Sequence, residues 1–213
     1  MSMPIKASCQ CPKCGKANDF TLWQSINTQR KNAAEDIISG ELFEVICTQC
    51  GYITHVEYPI LFNDMEHDTW IWRLESEDSI EEATKMVQRT RALRNRIRFV
   101  FSQNRLREKT IIFQAELDDR IIEIMRIIIE DNVEEKIEDD EINDSYFLIK
   151  DSNYCFEIQT EKGRLLYTEP LNALYDELES SFHDQLEEYG DDEFVVDVGW
   201  VDQFMDFCDF NEK

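Results

Sequence analysis

Cys11-Pro12-Lys13-Cys14-Gly15 and Cys47-Thr48-Gln49-Cys50-Gly51 are the stretches whose reading decides this fold. Two C-x-x-C-G units in one chain are the sequence form of two zinc knuckles. Zn²⁺ takes four soft donors at tetrahedral corners, about 2.3 Å from each sulfur. A two-residue spacer lets one tight turn deliver two thiolates to adjacent corners, and glycine after the second cysteine accepts the positive φ such a turn ends on. The spacing predicts one structural Zn²⁺ per chain, held by Cys11, Cys14, Cys47 and Cys50. The competing reading is a pair of reactive C-x-x-C thiol sites working in redox chemistry. A closed four-cysteine shell has no open coordination position, so it builds structure and performs no chemistry. Cys9 could replace a first-knuckle ligand as C-x-C-x-x-C, but the spacing of Cys11 and Cys14 matches the second knuckle better.

Residues 15 to 46 put 32 positions between the knuckles, against about 15–20 in an ordinary ribbon. Residues 18–24 (NDFTLWQ) read as the outgoing strand and 41–47 (ELFEVIC) as the return strand. The surplus, 27–40, reads as a short helix over Ala33, Ala34, Ile37 and Ile38, closed by Gly40. Residues 1–10 are expected to be an unstructured lead-in.

The apolar content of 42% suffices for a packed core in one large domain or two small ones. No apolar run reaches the ~18 residues of a membrane span, and residues 1–8 lack the apolar stretch of a signal peptide. Seven cysteines with four in metal spacing suit a reducing compartment. The expectation is therefore a cytoplasmic protein with no membrane partner. Forty-six acids against 22 bases give a net charge of −24, which repels nucleic acid. Residues 85–109 are the local exception, with nine bases and one acid. Arg89, Arg91, Arg94, Arg96, Arg98, Arg105 and Arg107 lie there, and much of the block is expected to pack against the chain's own acidic C-terminal half as a bridge between the two parts.

Beyond the second knuckle, 52–58 (YITHVEY) alternates as a strand up to Pro59. Residues 69–74 (TWIWRL) read as another, with Trp70, Trp72 and Leu74 on one side. Asp78 and Ser79 start a helix through Ile80, Ala83 and Val87, and periodicity leaves 95–101 open between helix and strand. Residues 106–113 read as helix. Asp118 and Asp119 cap another whose apolar residues from Ile121 to Ile129 demand burial on more than one side. Residues 130–144 carry nine acids and one lysine, the composition of a solvated helix end running into a mobile linker. Three strands follow at 146–150, 154–160 and 164–168 as an antiparallel meander. A long helix then starts at Pro170 and ends at Gly190, 193–197 reads as a fourth strand, and a last helix spans Trp200 to Cys208. Cys155 and Cys208 fit buried structural thiols, and His55, His67 and His183 ordinary non-ligand positions.

The lead knuckle CPKCG, the insertion ending in SGELFEVICTQCG, then YPILFNDME and TWIW resemble the bacterial and archaeal CpXC-domain family. The helical stretch NRLREKTIIFQAELDDRIIEIMR extends the resemblance, which covers about residues 8–130. It implies the same four ligands, Cys11, Cys14, Cys47 and Cys50. Thr48 departs from the family's second CPxCG unit, where proline is usual, without costing a donor to the metal. The resemblance bears on fold and metal and implies no activity.

The expected architecture is α+β: a β-rich zinc ribbon at 1–76, then an acidic domain at 77–213 with a small antiparallel sheet covered by helices. Its basic connecting segment is expected to be helical over 79–109, and its acidic linker to span 130–144. No P-loop, G-x-G-x-x-G, G-x-S-x-G or H-E-x-x-H is present. The leading expectation is a non-enzymatic interaction or regulatory module with a protein partner. Nucleic-acid binding through the ribbon and residues 85–109 ranks second, and thiol redox chemistry third.

Overall fold

The computed structural model describes residues 2–90 and 96–211, so Arg91 and Arg94 lie outside the described residues. The fold is α+β, and the chain divides into two compact units, Met1–Thr110 and Ile111–Lys213.

The first unit begins with β1 (Met3–Gln10) and β2 (Ala17–Asn27), followed by α1 (Ala33–Ser39). Next come β3 (Glu44–Ile46), β4 (Ile53–His55), β5 (Ile60–Asp64) and β6 (Thr69–Arg73). The unit continues through α2 (Ile80–Thr90) and β7 (Arg96–Val100), and the division falls within α3 (Gln103–Gln114). One sheet has the order β1-β2-β5-β6-β7, and β3 pairs with β4 in a separate two-stranded ribbon. Residues 3–10 of the expected loose lead-in are instead a strand: β1 pairs antiparallel with β2 from Met3↔Ser25 to Gln10↔Ala17. The expected ribbon pairing of 18–24 with 41–47 is replaced as well. β2 runs parallel to β5 on its other side, whereas β3 finds β4. Only Ile53–His55 of the expected 52–58 strand survives, and β5, which follows Pro59, was not anticipated.

Along β6 the buried face carries Thr69, Ile71 and Arg73, while Trp70 and Trp72 share the other, half-buried face, as the alternation predicts. β7 resolves the open stretch as a strand parallel to β6, since Ile97 and Phe99 can then join the buried sheet. The described residues of the basic segment 79–109 are therefore helix, strand and helix in turn. The compact units part at Thr110/Ile111 and not after residue 76, because β7 completes a sheet that starts at β1. Helix α1 ends as the sequence predicts: Gly40 at φ +86° returns its N–H to the Ile37 carbonyl.

The second unit centres on α4 (Asp119–Glu134), whose N-cap Asp118 accepts from the Arg120 N–H. Residues Asp119 through Arg126 are all buried, so the helix needs partners on every side. It packs on β8 (Ile142–Lys150), which forms the meander with β9 (Asn153–Thr160) and β10 (Leu165–Tyr167) in the order β10-β9-β8. α5 (Asn172–Tyr189) and α6 (Val198–Asn211) pack on α4 and on each other. The buried Arg126 is satisfied by Glu123, by both oxygens of Ser145 and by the Phe156 ring 5.2 Å from its guanidinium carbon.

Three expectations fail here for local reasons. Residues 130–134 are the expected helix end, but no free linker follows: β8 begins at Ile142, and Asp140 is anchored to the β9–β10 turn through Arg164 and the Lys162 N–H. Pro170 precedes α5 by two positions, with Leu171 at the N-cap. Residues 193–197 form no strand, and Val196 is buried in an irregular segment. Among the described residues no helix is long and apolar enough to cross a membrane.

Candidate metal centre

The two knuckles occupy equivalent places: the first is the tip of the β1–β2 hairpin, the second the tip of β3–β4. Their backbones follow one hydrogen-bond scheme. Cys11 N–H donates to the Lys16 carbonyl at 2.9 Å, and Cys47 N–H to the Tyr52 carbonyl at 2.9 Å. Gly15 N–H donates to the Cys11 carbonyl at 2.8 Å, and Gly51 N–H to the Cys47 carbonyl at 2.9 Å. Gly15 and Gly51 sit at φ +73° and +70° with open space where a Cβ would be, so glycine is required there by conformation and not by crowding.

Cys11, Cys14, Cys47 and Cys50 place their four sulfurs within 4.8 Å of one another. The cross-knuckle contacts Cys11–Cys50 and Cys14–Cys47 measure 3.7 and 3.6 Å. A tetrahedron with metal–sulfur bonds of about 2.3 Å has edges of about 3.8 Å, so the sulfur cage already has the dimensions of a four-thiolate ion site. Cys11 and Cys47 are buried at 2% and 3% exposure, whereas Cys14 and Cys50 face solvent. All four predicted ligands are brought together, and all seven cysteines are free of disulfides. Among the described residues this is the one group of three or more His, Cys, Asp or Glu side chains arranged to hold a metal ion.

Packing four thiols into one volume splits their acidities. Burial opposes ionisation of Cys47, but the N–H groups of Gln49 and Cys50, aided by the Cys14 and Cys50 thiols, hold it at about 6. The Lys16 N–H favours ionisation of Cys14, yet burial and the three neighbouring thiols push it up to about 12. The first thiolate forms easily and the last is opposed by its neighbours. A soft divalent cation at the centre removes that opposition, which is the chemistry this donor set offers.

Asn18 completes the site. Its Oδ1 accepts both from the Thr48 N–H at 2.9 Å and from the Thr48 hydroxyl at 3.0 Å, while its Nδ2 donates to the Lys16 carbonyl at 2.8 Å. One buried amide thereby ties the first hairpin to the second knuckle. Nothing in the sequence marked Asn18, whose role depends on a partner thirty residues away. Thr48 was visible only as the departure from a family proline.

The remaining candidates lie elsewhere. Cys9 is in β1 opposite Asn18 and outside the sulfur cage. Cys155 is buried in β9, and Cys208 is half-buried in α6. His67 Nδ1 bonds the buried Asp64 carboxylate at 2.7 Å, His55 is 4.0 Å from Glu44, and His183 is exposed on α5.

A two-unit α+β chain with a four-cysteine cluster at paired hairpin tips defines the class, a metal-binding module. The family model described as CpXC protein matches residues 9–126, more than half of the chain, and the chain belongs to that family. No curated protein and no solved structure gives a significant match.

Proposed function

We propose that the chain is a zinc-stabilised, non-enzymatic protein-interaction module of the cytoplasm, with one structural Zn²⁺ bound by Cys11, Cys14, Cys47 and Cys50. The observation that carries this reading is the closed cage of four sulfurs within 4.8 Å of one another. Four thiolates are the donor set zinc prefers, and a filled tetrahedral shell leaves no position for substrate. The metal fixes two hairpin tips, one of them carried by strands of only three residues, that are otherwise tied together through Asn18. Free thiols throughout the chain suit a reducing compartment.

A protein partner is favoured over nucleic acid by the state of the basic block. Arg98 is fully buried in β7, and Arg105 is paired with Glu108 at 2.8 Å, so both are withdrawn from phosphate contact. Three measurements test the proposal. Metal analysis of the purified chain should give one zinc, and Cys11→Ser or Cys47→Ser should lose it; full occupancy in either variant defeats the site. Alkylation of Cys14 and Cys50 should be slow until a chelator is added, and rapid labelling without chelator promotes the redox alternative. Cross-linking in the native host should join the wild type, but not Cys11→Ser, to protein; nucleic acid in its place overturns the partner class.

A further inference from the structure

The β8–β9–β10 meander has one face covered by α4 and one that reaches solvent. Arg126 of α4 bonds Ser145 and lies over the Phe156 ring, so Ser145, Phe147, Phe156 and Ile158 point inward. Side chains alternate along each strand, and the register then sets Tyr146, Glu157 and Tyr167 in one row across the outer face. Adjacent strands lie about 4.8 Å apart, so the two tyrosines are rooted about 10 Å apart with Glu157 midway. Tyr167 is 58% exposed, and Leu165 on the same face of β10 is 51% exposed. The Glu157 carboxylate is half-buried, and among the described residues its partners are both neutral. The Tyr167 hydroxyl donates to it at 2.8 Å and the Gln159 amide at 3.2 Å. Lys150, the base that shares this face of β8, lies four residues beyond Tyr146, about 13 Å along the strand.

β10 is also an open edge of this sheet. Thr160 N–H donates to the Arg164 carbonyl and Thr168 N–H to the Phe156 carbonyl, both at 3.0 Å. Bonded positions alternate in an antiparallel pair, so the N–H and C=O groups of Leu165 and Tyr167 point away from β9. No described residue bonds them. The edge strand β1 carries Pro4 and Lys6, which oppose strand addition, whereas Leu165-Leu166-Tyr167 carries no such residue. The two observations meet at Tyr167, which offers its backbone to an added strand and its ring to the side chain that strand sets beside it. Charge decides what that side chain is. The carboxylate midway in the row has no cation among the described residues, and Ile111–Lys213 holds 31 acids against 7 bases. A second copy of this unit or a nucleic acid brings more negative charge. An arginine or lysine beside Tyr167 lays its stem on the ring and carries its charge to Glu157, within the roughly 6 Å at which an aromatic face attracts a cation.

We propose that β10 takes an extended basic segment of a partner protein as an added strand, with an arginine or lysine side chain crossing the Tyr167 ring to the Glu157 carboxylate and Tyr146 closing the far side. This rests on the interaction reading above and adds to it the surface and the partner's chemistry. Main-chain bonds to Leu165 and Tyr167 supply the attachment, and the tyrosine–glutamate row selects the charge.

The test uses the full chain and a labelled peptide of alternating Arg and Thr, about ten residues long, the upper length of an ordinary strand. Binding is read by fluorescence anisotropy at about 150 mM salt. A second peptide replaces arginine by citrulline, which keeps the shape and removes the charge. A third is N-methylated at its arginines, which removes the backbone donors that an added strand needs. The parent should bind at least about tenfold tighter than either. Glu157→Gln should erase the margin over the citrulline peptide with the melting temperature unchanged. Glu187→Gln, at an exposed position of α5, should preserve that margin and so separates the site from the general acidity of the unit. Equal binding of the parent and N-methylated peptides, a charge margin that survives Glu157→Gln, or displacement of the peptide by a DNA duplex overturns the proposal. Sedimentation as a dimer that excludes the peptide assigns the edge to a second copy and overturns it too. If the peptide fails to bind while cross-linking to protein still depends on Cys11, this edge falls and the interaction reading stands.

Discussion

Thr48 donates twice to the Asn18 side chain, from its N–H at 2.9 Å and from its hydroxyl at 3.0 Å. The family's usual proline has no N–H to donate at this position. Threonine here replaces turn stiffness with a cross-link between the two hairpins, so the departure from the family pattern has a structural counterpart.

The cross-link is open to a graded test. Asn18→Ala orphans both Thr48 donors and leaves the Lys16 carbonyl with the Cys11 N–H alone, and should cost about 1–3 kcal/mol. Thr48→Val removes only the hydroxyl and should cost less than Asn18→Ala. Thr48→Pro removes both donors and should speed zinc transfer to a chelator although no ligand has changed. Transfer rates equal to wild type in all three variants would show that the amide does not couple the knuckles.

Arg120 performs a comparable task in the second unit. Its Nε and Nη2 hold Asp118, the N-cap of α4, while Nη1 donates to the carbonyls of Leu186 at 3.1 Å and Gly190 at 2.8 Å. The start of α4 and the end of α5 therefore share one buried guanidinium, with positive charge at the carbonyl end of a helix. Burial disfavours its charge, but Asp118 more than compensates and its pKa lies above the ordinary arginine value. Arg120→Met should destabilise the second unit by about 3 kcal/mol, because it leaves the Asp118 carboxylate without its counter-charge and the Gly190 carbonyl without this donor. Arg120→Lys should recover less than half of this, since an ammonium cannot span both groups. Denaturant unfolding followed on a probe in α5 measures both.

Asp140 gives the second unit an acid-sensitive anchor. Burial would raise its pKa, but hydrogen bonds from Thr160, Arg164 and the N–H groups of Lys162 and Glu141 hold it at about 2, below the ordinary 3.8. A depressed carboxylate pKa contributes stability that is present above the unfolded value and lost as pH falls through the folded one. The anchor should therefore weaken between pH 4 and 2 as the β9–β10 turn releases residues 137–141. Asp140→Asn should be less stable at neutral pH and lose less between pH 4 and 2 than wild type does. Equal slopes in that window for the two proteins would refute the assignment.

The parts that were readable in the sequence are those specified locally. Cys11, Cys14, Cys47 and Cys50 announce themselves because knuckle geometry requires a two-residue spacer. Gly40, Asp118 and Gly190 mark helix ends by their own backbone or side-chain chemistry. Pairing was harder to read. β1 has little pattern of its own and is a strand because β2 lies beside it. A plain ribbon pairs β2 with the return strand, whereas the 32-residue interval between the knuckles lets β3 turn to β4 and frees β2 for β5. Residues 130–144 look like a linker by composition, since no periodicity reveals that Asp140 will meet Arg164. Arg73, Arg98 and Arg126 are buried although charge patterning assigns arginine to the surface.

The last prediction separates the two units by their dependence on metal. The thiol cage fastens the tips of two hairpins, one of which consists of strands of only three residues each. Such a ribbon has little independent stability, so ligand binding and local folding are linked. The second unit has its own core, with Ile121, Ile124, Met125, Phe147, Phe156 and Phe204 all buried, and it contains none of the four ligands. Removing the metal with a chelator should abolish hydrogen-exchange protection at β3 and β4 and in the half of the β1–β2 hairpin next to Cys11. Amides of β8 and β9 should keep theirs. Cys9→Ser, Cys155→Ser and Cys208→Ser should each retain both the metal and the hairpin protection, since all three thiols lie outside the cage. Loss of zinc in Cys9→Ser would place the first knuckle one ligand too late. Collapse of β8–β9 protection on chelation would show that the metal supports the whole chain and not one hairpin pair.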